Sequence, residues 1–267
     1  MRWYKSFKGI RIGLLILLGI FALLPVFWVL INSFESMSSY KAVNVLQWID
    51  RYTSLDHYKN VLFHDLEYWA AYWNTLLLTL PTIALAMVVT AMAAYGLTVL
   101  HEKLQGKILI VYAILSLLPA QVLLVPHLIT LNTLFLDGTR LAVVLVGAFC
   151  PWYVIFLHRL CKGLPAEVFE MARLEGADEW TVFVKIALPQ MKLGLLIFGV
   201  VISADLWGMV EEPLVHIQNT SKYPLSVLFH EMDITIPYAG VVLFALPVLV
   251  LFVGGIRETM KGEANDD

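Results

Sequence analysis

Charge and cysteine are both scarce in this chain. Only 15% of its 267 residues are Asp, Glu, Lys or Arg, where soluble domains carry about a quarter. With 60% hydrophobic residues and a mean hydropathy of +0.77, that shortage excludes a water-soluble globular domain and makes the chain a polytopic membrane protein. A net charge of −3 offers nothing to a nucleic acid. The two cysteines, Cys150 and Cys161, flank the inner end of one apolar run. An external disulfide framework is excluded, and neither thiol has a metal or redox spacing. Catalytic patterns are missing too. His101-Glu102 and His230-Glu231 both lack the second histidine of a zinc-protease helix. No Gly-x-Ser-x-Gly elbow occurs, and the seven histidines are dispersed. No phosphate loop is present, so the chain does not hydrolyse ATP by itself. We expect no catalytic residue, no bound cofactor and no metal, with energy supplied by another subunit or an ion gradient.

Long apolar runs are what the chain has instead. Six are long enough to cross a bilayer, near 12–33, 73–97, 107–127, 141–160, 193–214 and 237–256. Pro25, Pro81, Pro119 and Pro151 fall within four of them and hint at kinks. Arg2, Lys5, Lys8 and Arg11 precede the first run, which lacks a small-residue cleavage site and reads as a retained span. Basic residues set the orientation. With both termini inside, 13 of the 18 Lys and Arg are cytoplasmic, and Lys41, Arg51, Lys59, Arg140 and Lys222 lie outside. The expected order is an N-terminal cytoplasmic segment (1–11), a first span (12–33), an extracytoplasmic segment (34–72), a five-span core (73–256) and a short solvated tail (257–267). In the outer segment, Trp48, Tyr52, Tyr58, Tyr68 and Trp69 either pack as a small cap or line the membrane interface.

One polar, helix-coded segment interrupts the apolar pattern between the fourth and fifth runs, at about 161–192. Pro165 suits a first helical position, and Gly176 suits the residue just past a helix end. Asp178 can cap a second helix that Pro189 terminates. Ala172 and Gly176, four apart, share a face and permit close approach. Such a helical hairpin is either a rigid knob for a soluble partner or an interfacial amphipathic pair with no partner.

Asp205, Glu211 and Glu212 are the acids within the expected spans. Asp205 lies about 18 Å along the fifth span at 1.5 Å per residue, a depth at which a carboxylate faces a cavity, a partner or a pathway. Helical spacing puts Asp205, Met209 and Glu212 on one face, with Trp207 and Glu211 adjoining. Polar groups beside aromatics suit a sugar or polyol. The other reading makes Asp205 a helix-packing residue.

These residues carry a family resemblance. The run Leu164-Pro-Ala-Glu, then Glu170-Met171-Ala172, Gly176 and Ile186-Ala187-Leu188-Pro189, resembles the "EAA" cytoplasmic motif of membrane-spanning subunits of binding-protein-dependent ABC importers. Asn74-Thr75, Ala93-Ala94-Tyr95, Val125-Pro126 and Tyr223-Pro224-Leu225 are similar to the carbohydrate-uptake branch, the maltose-type "G" permeases, over about residues 70–260. Met171 departs from the usual alanine, Leu174-Glu175 from Ile-Asp, and Trp207-Gly208-Met209 from Trp-Asn-Glu. The resemblance implies an all-α protein of six transmembrane helices, with a cytoplasmic coupling helix between the fourth and fifth. It implies a multi-pass permease of a bacterial or archaeal cytoplasmic membrane, in contact with lipid but not nucleic acid. Its partners would be a second permease (a paralogue), two ABC ATPase subunits that carry ATP and Mg, and an extracytoplasmic solute-binding protein. Glu170, Ala172, Arg173, Gly176, Leu188 and Pro189 would serve ATPase coupling. Asp205, Trp207, Met209, Glu211 and Glu212 would line the solute pathway. Gln218, Asn219, Lys222 and Tyr223 would meet the binding protein. The competing class is a proton-coupled secondary transporter that uses Asp205 as relay.

Overall fold

In lipid every backbone polar group must find a partner within the protein, so an apolar chain of this length folds as helices. The computed structural model describes residues 2–34, 54–231 and 238–266, and side chains within 11–34, 54–230 and 238–259. Trp48, Tyr52 and the rest of 35–53 in the expected outer segment lie outside the described residues. The described elements are α1 (Arg2–Asn32), α2 (Asp56–Phe63), α3 (Leu66–Val99), α4 (Glu102–Ser116), α5 (Ala120–Thr133), α6 (Arg140–Gly147), α7 (Pro151–Lys162), α8 (Ala166–Leu174), α9 (Glu179–Val182), α10 (Leu188–Gln190), α11 (Lys192–Trp207), α12 (Glu211–His216), α13 (Leu225–Glu231) and α14 (Tyr238–Asp266). A π-turn, Phe183–Ala187, joins α9 to α10, and a 3-10 turn spans Thr220–Lys222.

The protein is an all-α polytopic membrane protein. Three helical stretches, Arg11–Asn32, Leu66–Val99 and Tyr238–Thr259, are long and apolar enough to cross a bilayer alone. The count reaches six if each of three bent pairs is one span. The expected third span, 107–127, is broken by a 104° bend between α4 and α5. There Pro119 forms the N-cap of α5, so the proline begins a helix rather than kinking one. Pro151 likewise opens α7, after a 43° bend from α6. Pro25 and Pro81 do sit inside helices. The tail expected at 257–267 is helical to Asp266.

Two compact units divide the chain. The first comprises 1–69 and 233–246. Within it the outer aromatics are packed: Tyr58 Oη and Ser33 Oγ are 2.7 Å apart, Tyr68 Oη donates to the Gly240 carbonyl at 2.9 Å, and Trp69 Nε1 donates to Leu62 at 3.1 Å.

The second unit, 70–232 and 247–267, holds the hairpin. Its core joins Ala86, Ala94 and Tyr95 of α3, Val154 and Leu157 of α7, Val182 and Phe183, and Leu195, Phe198 and Ile202 of α11. Lipid is as apolar as leucine, so close packing holds this cluster inside a bilayer, not exclusion of water. Small residues make the packing possible. A Cβ at Gly147 would meet Thr82 Cγ2 at 2.6 Å, one at Gly255 would meet Val200 Cγ2 at 2.6 Å, and one at Gly194 would collide with Leu160. Buried Thr75, Thr79 and Thr82 return their hydroxyls to α3 carbonyls one turn back, at 3.0, 2.8 and 2.6 Å. Each polar side chain is thereby satisfied without water.

Candidate coupling hairpin and solute pathway

Local chemistry builds the hairpin. α8 ends at a Schellman turn: Ala177 N–H donates to the Ala172 carbonyl at 3.0 Å, and Gly176 N–H to Arg173 at 3.0 Å. This geometry needs a left-handed residue just past the helix, and Gly176 supplies it with φ of +89°. Ala172 and Ala177, the apolar pair such a turn brings together, both pack on the core of the second unit. Asp178 then caps α9 by accepting from Thr181 N–H at 3.2 Å, as its sequence position predicts. A side-chain hydrogen bond from Thr181, with this backbone bond beside it, holds the Asp178 carboxyl below its usual range.

Three expectations need correction. Pro165 is the N-cap of α8, one residue before the first helical position. Gly176 lies beyond the helix in a positive-φ conformation, so it does not share a helical face with Ala172. Pro189 does not terminate the second helix. The chain widens into the π-turn, where Leu188 N–H bonds back to Phe183, and continues through Pro189 to Gln190. Proline has no N–H and crowds the preceding turn, and a wider turn relieves that crowding. The 71° bend comes after Gln190, between 179–190 and α11.

α8 presents two unlike faces. Phe169 and Ala172 pack inward, as does Leu188 from α10. Val168, Met171 and Leu174 point outward, joined by Trp180 of α9, with Met171 62%, Leu174 88% and Trp180 60% exposed. Ala172 and Leu188 therefore anchor the hairpin to its own core, whereas Glu170, Gly176 and Pro189 are exposed. Sequence reasoning passed over Met171, Leu174 and Trp180, although an apolar residue every third position on a polar helix is a readable signal. Glu170 and Arg173 border a cavity of about 180 Å³ with Tyr95, Thr98 and Lys162.

Glu179 is a further residue that the sequence reading missed. Its carboxylate accepts from Arg173 Nε at 2.7 Å and Nη2 at 3.3 Å, and from Tyr95 Oη at 2.6 Å. The Arg173 bond first, then that from Tyr95, keeps the carboxyl below the usual carboxylate range. A carboxyl held low keeps its pairing above its ordinary pKa and loses it only as pH falls through the lowered value. The end of α3 is tied down further where Gln105 donates to the Leu97 carbonyl at 2.9 Å and accepts from Lys162 at 3.3 Å.

The expected acidic stripe is not continuous, because the helix stops at Trp207 and restarts at Glu211. Trp207 is buried, edge-on to Tyr72 at 5.8 Å, and belongs to the packing rather than to a pathway wall. Met209 is buried with Leu78, Val143 and Ile217. The break nonetheless brings the acids together: Asp205, Glu211 and Glu212 border one cavity of about 400 Å³. Asp205 and Glu212 also border a cavity of about 310 Å³ with His127, Phe149, Trp152 and Tyr153. Asp205 is exposed and accepts from Tyr153 Oη at 3.2 Å, and Glu211 accepts from Gln121 at 2.8 and 3.1 Å. Among the described residues no cluster of metal ligands occurs.

At the other end of α3, about 30 Å from Tyr95 at 1.5 Å per residue, Asn74 and Thr75 hold the loop that follows α12. Asn74 donates to the carbonyls of Ser221 at 2.8 Å and Tyr223 at 3.1 Å, and Leu225 N–H donates to Thr75 Oγ1 at 2.9 Å. Arg140 donates to Asn74 Oδ1. Asn219 caps the loop's 3-10 turn through Ser221, and Tyr223 packs on the Met209 cluster, so both shape the loop from within. Gln218 is exposed over Gly138, and Lys222 is half-buried. Asn74→Ala removes three partners at once and leaves Arg140 short of one. We expect a loss of about 1–3 kcal/mol, seen as a lower Tm in detergent beside an unchanged Thr133→Ala control.

Membrane-crossing helices, a surface-exposed hairpin rooted in the core and an acidic cavity between broken helices define a transport subunit. No family model matches the chain. It is 26% identical over 265 residues to the arabinooligosaccharides transport system permease protein AraQ of Bacillus subtilis, covering 95% of this chain and 94% of that one. It is 25% identical over 260 residues to the diacetylchitobiose uptake system permease protein NgcG of Streptomyces coelicolor, covering 93% and 84%. Its fold matches a bacterial ABC transporter involved in import of the acidic polysaccharide alginate, with a TM-score of 0.81, 19% identity and coverage of 96% and 98%. The chain is a membrane-spanning permease subunit of an ABC importer. Within that class its sequence likeness lies with the carbohydrate-uptake permeases, and the proton-coupled secondary transporter is set aside.

Proposed function

We propose that this chain is one half of the translocation path of an ATP-driven importer and passes a neutral sugar or oligosaccharide inward. The observation that carries it is the outward apolar row of Val168, Met171, Leu174 and Trp180 on a hairpin whose other face is rooted in the core. Exposed apolar residues of this kind in water mark a partner site. The partner is an ABC ATPase subunit, which puts the hairpin and both termini on the cytoplasmic side. Met171 and Leu174 enter its cleft, Glu170 and Arg173 make polar contacts at the rim, and Gly176 fixes the angle of presentation. ATP and Mg belong to that ATPase, and its closure moves the hairpin as a body, with α7 and α11 attached to it. Of the two cavities that share Asp205 and Glu212, one adds Glu211 and the other adds Trp152 and Tyr153, so together they offer the hydrogen-bonding groups and aromatic walls that sugar hydroxyls and ring faces require. At the opposite end, Gln218 and Lys222 meet the solute-binding protein. The sugar class is supported by the relatives' printed solutes, arabinooligosaccharides, diacetylchitobiose and lactose. A second permease, a paralogue, completes the path.

Co-purification and uptake test this reading. The wild-type chain brings down an ATPase and a second permease, and Met171→Glu with Leu174→Glu loses the ATPase while still inserting in the membrane. Uptake stops with vanadate and survives a protonophore. Uptake that collapses with the proton gradient, with no ATPase attached, would sink the proposal.

A further inference from the structure

We infer that Glu179 is a positioning residue that locks the coupling helix α8 to the end of α3, making α3 a rod that carries the hairpin's displacement to the opposite face. This rests on the coupling role proposed above and extends it to a span that is not adjacent to the hairpin in sequence. The carboxylate of Glu179 gathers α8 and α3 into one hydrogen-bonded junction, in which Arg173 and Tyr95 also meet directly. It takes two bonds from Arg173 of α8 and one from Tyr95 of α3. Tyr95 is itself fixed: its ring is buried and packs on Phe183 at 5.3 Å. Glu179 cannot drift either, because it is the first residue of α9 and follows the Asp178 cap directly. The backbone turn at Gly176 sets where α8 points, and the carboxylate sets which α3 residue it is tied to.

The far end of the rod is as firmly held. Asn74 and Thr75, about six turns above Tyr95 on the same helix, bind Ser221, Tyr223 and Leu225 of the loop after α12. α12 begins at Glu211, so that loop lies directly after the acidic cavity. A displacement of α8 taken up by α3 therefore reaches the loop and the cavity mouth together. α7 and α11 move with the hairpin through the core. α3 also touches that core, and its polar tie to α8 is centred on Glu179, with Arg173 and Tyr95 in direct contact beside it.

The test uses the assembled importer in proteoliposomes, with its ATPase, companion permease and binding protein. Glu179→Gln and Tyr95→Phe each remove part of the junction without changing side-chain size. Both should co-purify the ATPase as the wild type does, while the ATP hydrolysed per solute imported rises by roughly tenfold or more, the low end of the range for one lost charge-assisted bond. The exchange Arg173→Glu with Glu179→Arg restores the ion pair in reverse and should recover part of the ratio, which a merely structural role would not give. A wild-type ratio in Glu179→Gln overturns the lock. Loss of ATPase binding in Glu179→Gln also overturns it, since the residue is then a docking contact. Failure of the underlying coupling role is a separate result: Met171→Glu with Leu174→Glu would then keep both ATPase and transport.

Discussion

Gly176→Val abolishes uptake while the chain still inserts and accumulates in the membrane. Gly176 sits at φ +89° with no heavy atom within 4 Å of where a Cβ would stand. The obstacle is therefore not a clash with a neighbour. It is the backbone conformation, which a β-branched residue adopts only with strain of about 1–3 kcal/mol. Reversing that strain means giving up the two turn-closing bonds from Gly176 and Ala177. The hairpin then loses its fixed angle and α8 no longer presents Met171 and Leu174 in register. A strain of that size shifts the population of correctly closed hairpins by roughly fivefold to 150-fold. Gly176→Asn separates this cause from any other. Asparagine enters the left-handed region at small cost, so that variant should keep at least about half of wild-type uptake. Equal loss in the two variants would mean that Gly176 matters for its small size against a partner and not for its torsion angle. Uptake is measured in cells or proteoliposomes at matched membrane protein level.

The hairpin is also where sequence and structure agree best, because its determinants are local. A cap at Asp178 and a left-handed glycine at Gly176 act within a few residues, and both occur as the residue types demand. The failures begin where distance in the chain grows or where a proline has more than one way to fit. Pro189 reads as a helix end, yet a π-turn absorbs it. Pro119 reads as a kink within one span, yet it starts α5 after a 104° bend, which uninterrupted hydropathy from 107 to 127 conceals. Gly208 lies between Asp205 and Glu212 and ends the helix that their spacing implied, although the acids still meet at one cavity. Glu179 was invisible because its partner Tyr95 lies 84 residues away. Asn74 and Thr75 could be quoted as part of a family pattern, but only coordinates reveal that they hold a loop about 150 residues further on.

Asp205→Lys lowers uptake of a neutral oligosaccharide by roughly tenfold or more, and Asp205→Asn lowers it about twofold. The pair distinguishes a wall from a relay. Asp205 is exposed to both acidic cavities and holds one bond from Tyr153. Asparagine has the same shape and an acceptor oxygen for that hydroxyl, so it trades a charge-assisted bond for a neutral one, at a cost of about 0.5–1 kcal/mol. A sugar hydroxyl finds an acceptor in either case. Lysine brings a longer chain and a cation within reach of Glu212, which borders the same cavities. The new pair would occupy part of a cavity of about 310 Å³ and remove two acceptors from the wall. A proton relay answers differently, because asparagine cannot take up and release a proton at neutral pH. If Asp205→Asn were as inactive as Asp205→Lys, the carboxylate would be acting by titration, and an ion gradient would have to enter the mechanism. With the twofold loss, uptake keeps its vanadate sensitivity and basal ATPase activity stays at the wild-type level, since neither substitution falls in the hairpin, which ends at Gln190.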